Sequence, residues 1–267
     1  MPTFRTLFLV AAMFSGALHA ADLRVAVLVQ DEAQISPQGT LVPSSTPGAD
    51  QVAFTDELAR EICRRIRFRC AVSYVAFAEI LPGVEDGRFD LGFGNFLRVP
   101  KREKRVAFSE PIFRSASRLV GSPAAARAFA RELGQAVNLD NLRGARVAAM
   151  EGSQQQAFLN AIAAERELTV VATATTAGAF GALHNGSADF ALLPIRAGYA
   201  LISHDKSRRF GFVGPATADH GLGDTVHVIL PRQKDELRRS VNRAIAEIRA
   251  DGTGHRIMRR HFPVNLD

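Results

Sequence analysis

Asp90-Leu-Gly-Phe-Gly-Asn-Phe-Leu-Arg-Val-Pro-Lys-Arg-Glu-Lys-Arg-Val-Ala-Phe-Ser-Glu-Pro-Ile-Phe113 is the most informative stretch of the chain. It opens as a strand end rich in small residues, continues as a short basic turn and re-enters a strand near Val106. In open α/β sheets ligands sit at the carboxyl ends of strands. Small residues there let a ligand approach the backbone. An arginine just beyond can hold a carboxylate with two parallel hydrogen bonds. The same segment also reads as a solvated basic loop. A nucleic-acid surface is a poorer reading, because Lys101, Arg102, Lys104 and Arg105 have no interleaved aromatics.

On either side the pattern is strand, helix, strand. Leu23–Val29 is apolar and β-branched, as in a buried strand. Residues 30–51 are rich in Pro, Ser, Gly and Thr and read as a long loop. Leu58, Ile62 and Ile66 mark a helix over Phe54–Ile66, with Asp56 and Glu57 in its first turn. A strand over Cys70–Val75, a short helix over Glu79–Asp86 and a strand over Phe89–Phe93 follow. The alternation restarts at Arg118–Val120. Helices are predicted at 124–133, 154–163, 177–185 and 195–203, with strands at 146–149, 170–172 and 190–193 between them. A strand at 225–230, a long amphipathic helix at 235–249 and a last helix to about His261 close the chain. Alternation with short turns predicts an α/β fold with mostly parallel sheets.

The 267 residues carry 33 Lys plus Arg against 27 Asp plus Glu, a formal charge of +6. Hydrophobic residues make up 47%, which is globular composition. The basic balance permits anionic partners without establishing one. Residues 1–20 hold one positive charge at Arg5, the apolar run Leu7–Phe14 and the small-residue end Ala17-Leu-His-Ala20. This is the pattern of a secretory signal peptide, with cleavage expected after Ala20. A membrane anchor is the other reading, but the run falls far short of the roughly 20 residues a spanning helix needs. Export places Cys63 and Cys70 in an oxidising compartment, where two nearby cysteines are expected to pair. Two buried free thiols are the alternative. A Cys-x-x-Cys redox motif is absent.

The chain as a whole resembles the periplasmic solute-binding proteins of polar amino-acid ABC importers, the family-3 type. The resemblance rests on Leu58-Ala-Arg-Glu-Ile-Cys63, Asp86-Gly-Arg-Phe-Asp90, Arg102–Phe108 with Ser109-Glu-Pro, Leu142-Arg-Gly-Ala-Arg-Val147 with Gly152-Ser153, and Arg249-Ala-Asp-Gly-Thr253 before His261-Phe262. Each is weak alone, and their order along one chain is strong. The Cys63/Cys70 spacing resembles the histidine and lysine/arginine/ornithine branch, whose equivalent cysteines form a disulfide. The resemblance implies a type II periplasmic-binding-protein fold: two α/β lobes joined by two crossover strands, with the ligand in the cleft. Lobe one is expected over 22–117 and 218–267, and lobe two over 118–217. It also implies a monomer, a small carboxylate ligand, an inner-membrane ABC permease as partner, and no cofactor, metal or nucleic acid.

By position, Arg102 is the carboxylate-binding arginine and Phe77 the hydrophobic residue against the ligand. Gly94, Asn95 and Leu97 fall on a loop that contributes carbonyl and hydroxyl contacts. Ser153 and Gln154 fall on a lobe-two turn whose N–H groups meet the carboxylate at a helix N-terminus. The departures are Leu97 for a family Ser or Thr, Pro194 for the acid that holds an α-ammonium, and Asp31 for an aromatic. Asp31 or Glu151 could take over the ammonium, and Arg196 would add charge if it faced the cleft. The ligand is therefore expected to offer a carboxylate without having to be a standard α-amino acid.

Enzymatic readings find less support. The 7 His show no metal-ligand spacing, there is no phosphate-binding Gly-Lys-Ser/Thr, and Gly152-Ser-Gln lacks the frame of a nucleophile elbow. An exported cyclohexadienyl-dehydratase type on the same fold would need a cleft acid, for which Glu151 is the candidate. A periplasmic sensor component is the third reading.

Overall fold

The computed structural model describes residues 22–29, 35–36, 41 and 49–262. The expected signal segment and Asp31 lie outside them. In chain order, β1 (Asp22–Leu28) leads to α1 (Ala49–Arg65), β2 (Arg69–Val75), α2 (Phe77–Glu85), β3 (Leu91–Leu97), the single turn α3 (Pro100–Glu103) and β4 (Ala107–Ser115). The second unit runs β5 (Ser117–Gly121), α4 (Pro123–Leu133), β6 (Arg146–Met150), α5 (Gln154–Arg166), β7 (Thr169–Thr173), α6 (Thr176–His184), β8 (Phe190–Pro194), α7 (Ile195–His204) and β9 (Gly211–Thr217). The chain then returns through β10 (Asp224–Leu230), α8 (Asp235–Ala250) and α9 (Thr253–His261).

Two five-stranded sheets result, in the orders β2-β1-β3-β10-β4 and β7-β6-β8-β5-β9. In the first, β1 runs parallel to β2 and β3, while β10 is antiparallel to β3 and β4. The second repeats the scheme, with β6 parallel to β7 and β8 and β5 antiparallel to β8 and β9. The sheets are therefore mixed, where alternation along the sequence predicts mostly parallel ones. The difference lies in the crossovers. β10 and β5 enter from the other sheet, so they reach their neighbours without the helical return that parallel pairing requires. The fold is two-lobed and α/β, and the chain passes between sheets at Ala116 and again across residues 218–223.

Apolar clusters cover both faces of each sheet. Val25, Ile62, Phe93 and Ile245 pack one face of the first, and Ala26, Ile80, Val84 and Ile229 the other. The closest clamp on this sheet is polar. Asp90, at the foot of β3, is buried and accepts hydrogen bonds from the Arg24 backbone N–H at 2.9 Å, from Arg24 Nε at 3.1 Å and from Lys234 Nζ. Burial alone would raise its pKa, but these donors outweigh it and hold the carboxyl down at about 2.

Several elements differ from the sequence expectation. α1 starts at Ala49, because Gln51, Val52 and Phe54 already lie on its buried face. Asp56 and Glu57 are thus about two turns inside the helix, where Asp56 meets Arg60 at 2.8 Å and the Tyr74 hydroxyl at 2.7 Å. β3 runs on to Leu97, since Phe96 and Leu97 pair with His227 and Val226 of β10. β9 was not legible locally: Gly211, Gly214 and Pro215 dilute the apolar pattern, and proline is tolerated there because the strand is at a sheet edge. A disulfide joins Cys63, in the last turn of α1, to Cys70 in β2.

Candidate functional site

The carboxyl ends of β1, β3, β6 and β8 converge on a small cavity between the lobes. Arg102, Phe77, Gly94, Asn95 and Leu97 from the first lobe line it, with Ser153, Gln154 and Pro194 from the second. These eight sequence candidates are therefore in one place, while Glu151 and Arg196 are not.

Arg102 sits in α3, set up by Pro100 at the first helical position, where proline's fixed φ suits the helix. It is 8% exposed. Its Nη1 donates to the Leu97 carbonyl at 3.2 Å and its Nη2 reaches across the cleft to the Gly152 carbonyl at 3.4 Å. The guanidinium lies 5.7 Å from the centroid of Phe77 and 5.3 Å from that of Phe96, and those two rings stack at 5.1 Å. None of these contacts is a carboxylate. Burial, unopposed by a counter-charge, pushes the pKa of Arg102 down to about 10. It remains a cation at neutral pH and is an anchor for an anion.

Opposite stands the N-terminus of α5. Gly152, at φ 71°, turns the chain into it in the left-handed region that glycine favours. The Ser153 hydroxyl is fully engaged, accepting from the Gln156 N–H at 3.1 Å and donating to the Met150 carbonyl at 2.6 Å. Its own N–H also bonds Met150. Ser153 is thus the cap, and the N–H groups without intrahelical acceptors are those of Gln154 and Gln155. Together with the helix dipole they complete a setting for negative charge.

The glycines of the opening motif also serve packing. A Cβ on Gly92 would stand 2.7 Å from Ile80, and one on Gly94 2.8 Å from Phe96 and 3.1 Å from Ile80. They let α2 and Phe96 pack against β3, and Gly94 also lines the cavity. Asn95, at φ 56°, takes the left-handed conformation that asparagine tolerates.

Arg196 does not line the cavity. It is buried on α7, its guanidinium 4.0 Å from the centroid of the Phe113 ring. Glu151 is exposed and lines an outer hollow beyond Arg102, not the inner cavity. The sequence reading missed Leu28, Ser115, Met150, Gln155, Thr176 and Leu222. Leu28 and Met150 end parallel strands, a position that could have flagged them. Ser115 and Leu222 flank the crossovers and carry no local signal. Gln155 is anchored, its Nε2 donating to the Ser117 Oγ at 2.8 Å, which donates in turn to the Leu222 carbonyl at 2.5 Å. Among the described residues no cluster of His, Cys, Asp and Glu could hold a metal ion, and no helix is long and apolar enough to cross a membrane.

The chain is 28% identical over 240 residues to the lysine/arginine/ornithine-binding periplasmic protein of Escherichia coli K12, covering 87% of this chain and 88% of that one. It is 25% identical over 254 residues to the histidine-binding periplasmic protein of Salmonella typhimurium, covering 94% of each. Among solved structures it shares the fold of an ancestral arginine-binding protein bound to arginine, with a TM-score of 0.74 at 21% identity over 91% of this chain and 99% of that one. Residues 50–264 match the model of a family described as bacterial extracellular solute-binding proteins, family 3. With that match spanning most of its length, the chain belongs to the bacterial extracellular solute-binding proteins of family 3.

Proposed function

We propose that this protein is an extracytoplasmic receptor that binds an amino acid or related small carboxylate between its lobes and delivers it to an inner-membrane ABC permease. The observation that carries the reading is Arg102: a buried cation in the interlobe cavity, faced by a helix N-terminus, with no carboxylate partner among the described residues. A ligand carboxylate supplies the missing charge. It takes two donors from Arg102 and the N–H groups of Gln154 and Gln155, while Phe77, Leu97 and Pro194 pack its body. Asn95 and the backbone at Gly94 add polar contacts from β3.

The lobes in this reading are 22–117 with 218–267, and 118–217. That division is supported by the crossovers at Ala116 and residues 218–223. Contacts that need both lobes favour the closed form, so ligand shifts the population toward it. Residues 1–20 are the export signal, and the mature chain, a monomer, begins at Ala21. Relatives named as periplasmic binding proteins support that location.

Isothermal calorimetry on the mature protein and on Arg102→Ala tests the proposal. A carboxylate bound by the wild type should lose at least 100-fold in affinity in the variant. Equal affinity in the two would overturn it.

A further inference from the structure

The charge inventory of the inner cavity narrows the ligand class. Its lining contains one cation, Arg102, and among the described residues no aspartate or glutamate. Elsewhere in the described protein the two most buried carboxylates are already engaged, Asp90 by Arg24 and Lys234 and Asp205 by Ser207. Glu151 is exposed to water and belongs to the outer hollow. A carboxylate in the cavity balances Arg102. An ammonium on the same ligand would be a second cation that finds no counter-charge among the described lining residues, and uncompensated burial of charge is strongly unfavourable.

The remaining surface points the same way. Leu28, Phe77, Leu97, Met150, Pro194 and Leu222 provide an apolar wall. Two of the polar side chains are already committed, the Ser153 hydroxyl to Met150 and Gln156, and the Gln155 amide to Ser117. The cavity thus has an anion anchor at one end and a largely apolar body, with backbone and neutral groups to meet a carbonyl or hydroxyl oxygen.

From this we infer that the preferred ligand is a carboxylate with an apolar body and no ammonium group, such as a branched or aromatic 2-oxo acid. The inference rests on the carboxylate-receptor reading above and specifies its ligand. Pro194, at the end of β8 and the N-cap of α7, is its determinant in the second lobe. An acid placed there would face the cavity and suit a helix N-cap.

Calorimetry with matched pairs tests the inference: 4-methyl-2-oxopentanoate against leucine, phenylpyruvate against phenylalanine, with lysine as the dicationic extreme. In at least one pair the oxo acid should bind at least tenfold more tightly than its amino acid, and Asp31→Asn should leave that ratio unchanged. Pro194→Asp, verified as folded by circular dichroism, should move the ratio at least tenfold toward the amino acid. Tighter or equal binding of the amino acids or lysine by the wild type overturns the inference. If Arg102→Ala then removes that binding, the carboxylate reading survives alone. Binding by no member of the panel overturns both.

Discussion

Arg102 combines two properties that proteins seldom put together: near-complete burial and no ionic partner among the described residues. Lysine cannot replace it in kind, because a compact ammonium lacks the planar fork that meets both oxygens of a carboxylate. Arg102→Lys should therefore weaken ligand binding at least tenfold while leaving the melting temperature of the free protein within about 2 °C, since a surrogate cation remains. The pH profile follows from the pKa of about 10. Binding needs the protonated guanidinium, so affinity for a carboxylate should be flat from about pH 5 to pH 9 and fall as the pH rises through 10. Calorimetry across that range checks both the plateau and the sign. The opposite residue, Ser153, acts through the helix it caps. Ser153→Ala removes an N-cap worth about 1 kcal/mol and should lower stability by that order, read from urea unfolding.

Two links between elements carry testable weight. Asp90 ties β3 to β1 and to the start of α8. Its carboxyl is held at about 2, below the ordinary 3.8, so its contribution is fully present above the ordinary value and is lost as the pH falls through 2. A shift of this size corresponds to roughly 2 kcal/mol at neutral pH. Asp90→Asn should be less stable by about that amount in urea at pH 7, with the gap closing as the pH approaches 2. The disulfide between α1 and β2 closes a short loop of separation 7. In the chain-entropy model it stabilises by about 2.5 kcal/mol. Replacing both cysteines by alanine should lower the melting temperature by about 5–10 °C for a domain of this size and leave ligand affinity within twofold. Both cysteines are remote from the cavity lining.

At the scale of the molecule, the lobes meet on more than the ligand cavity. Met150 of the second lobe packs into the cluster that holds Phe77 and Ile80 of the first. Ala200 and Tyr199 of α7 join the cluster on α1, and Arg196 stacks over Phe113. These contacts flank the cavity and make closure a property of both lobes together. The buried relay Gln155–Ser117–Leu222 links α5 to both crossovers. Ser117→Ala strands a buried amide donor and should destabilise by about 1–3 kcal/mol in thermal or urea unfolding.

Local pattern was sufficient for much of this. Periodicities of 2 and 3.6 placed nearly every strand and helix, because each element buries one face whichever neighbour covers it. The order of short motifs carried the family resemblance, and it was the resemblance that implied Arg102, Phe77, Ser153 and Pro194 on a common cleft. Tertiary structure alone decided the rest. The antiparallel entry of β5 and β10, the edge strand β9, and the cavity residues Ser115 and Leu222 all depend on where the chain crosses between sheets, which no window of sequence encodes. The same holds for charge: Arg102 and Arg196 are alike in the sequence, but packing points the first into a cleft whose described lining has no acid and the second against a phenylalanine ring. Partners in space, not neighbours in sequence, set what a buried charge can bind.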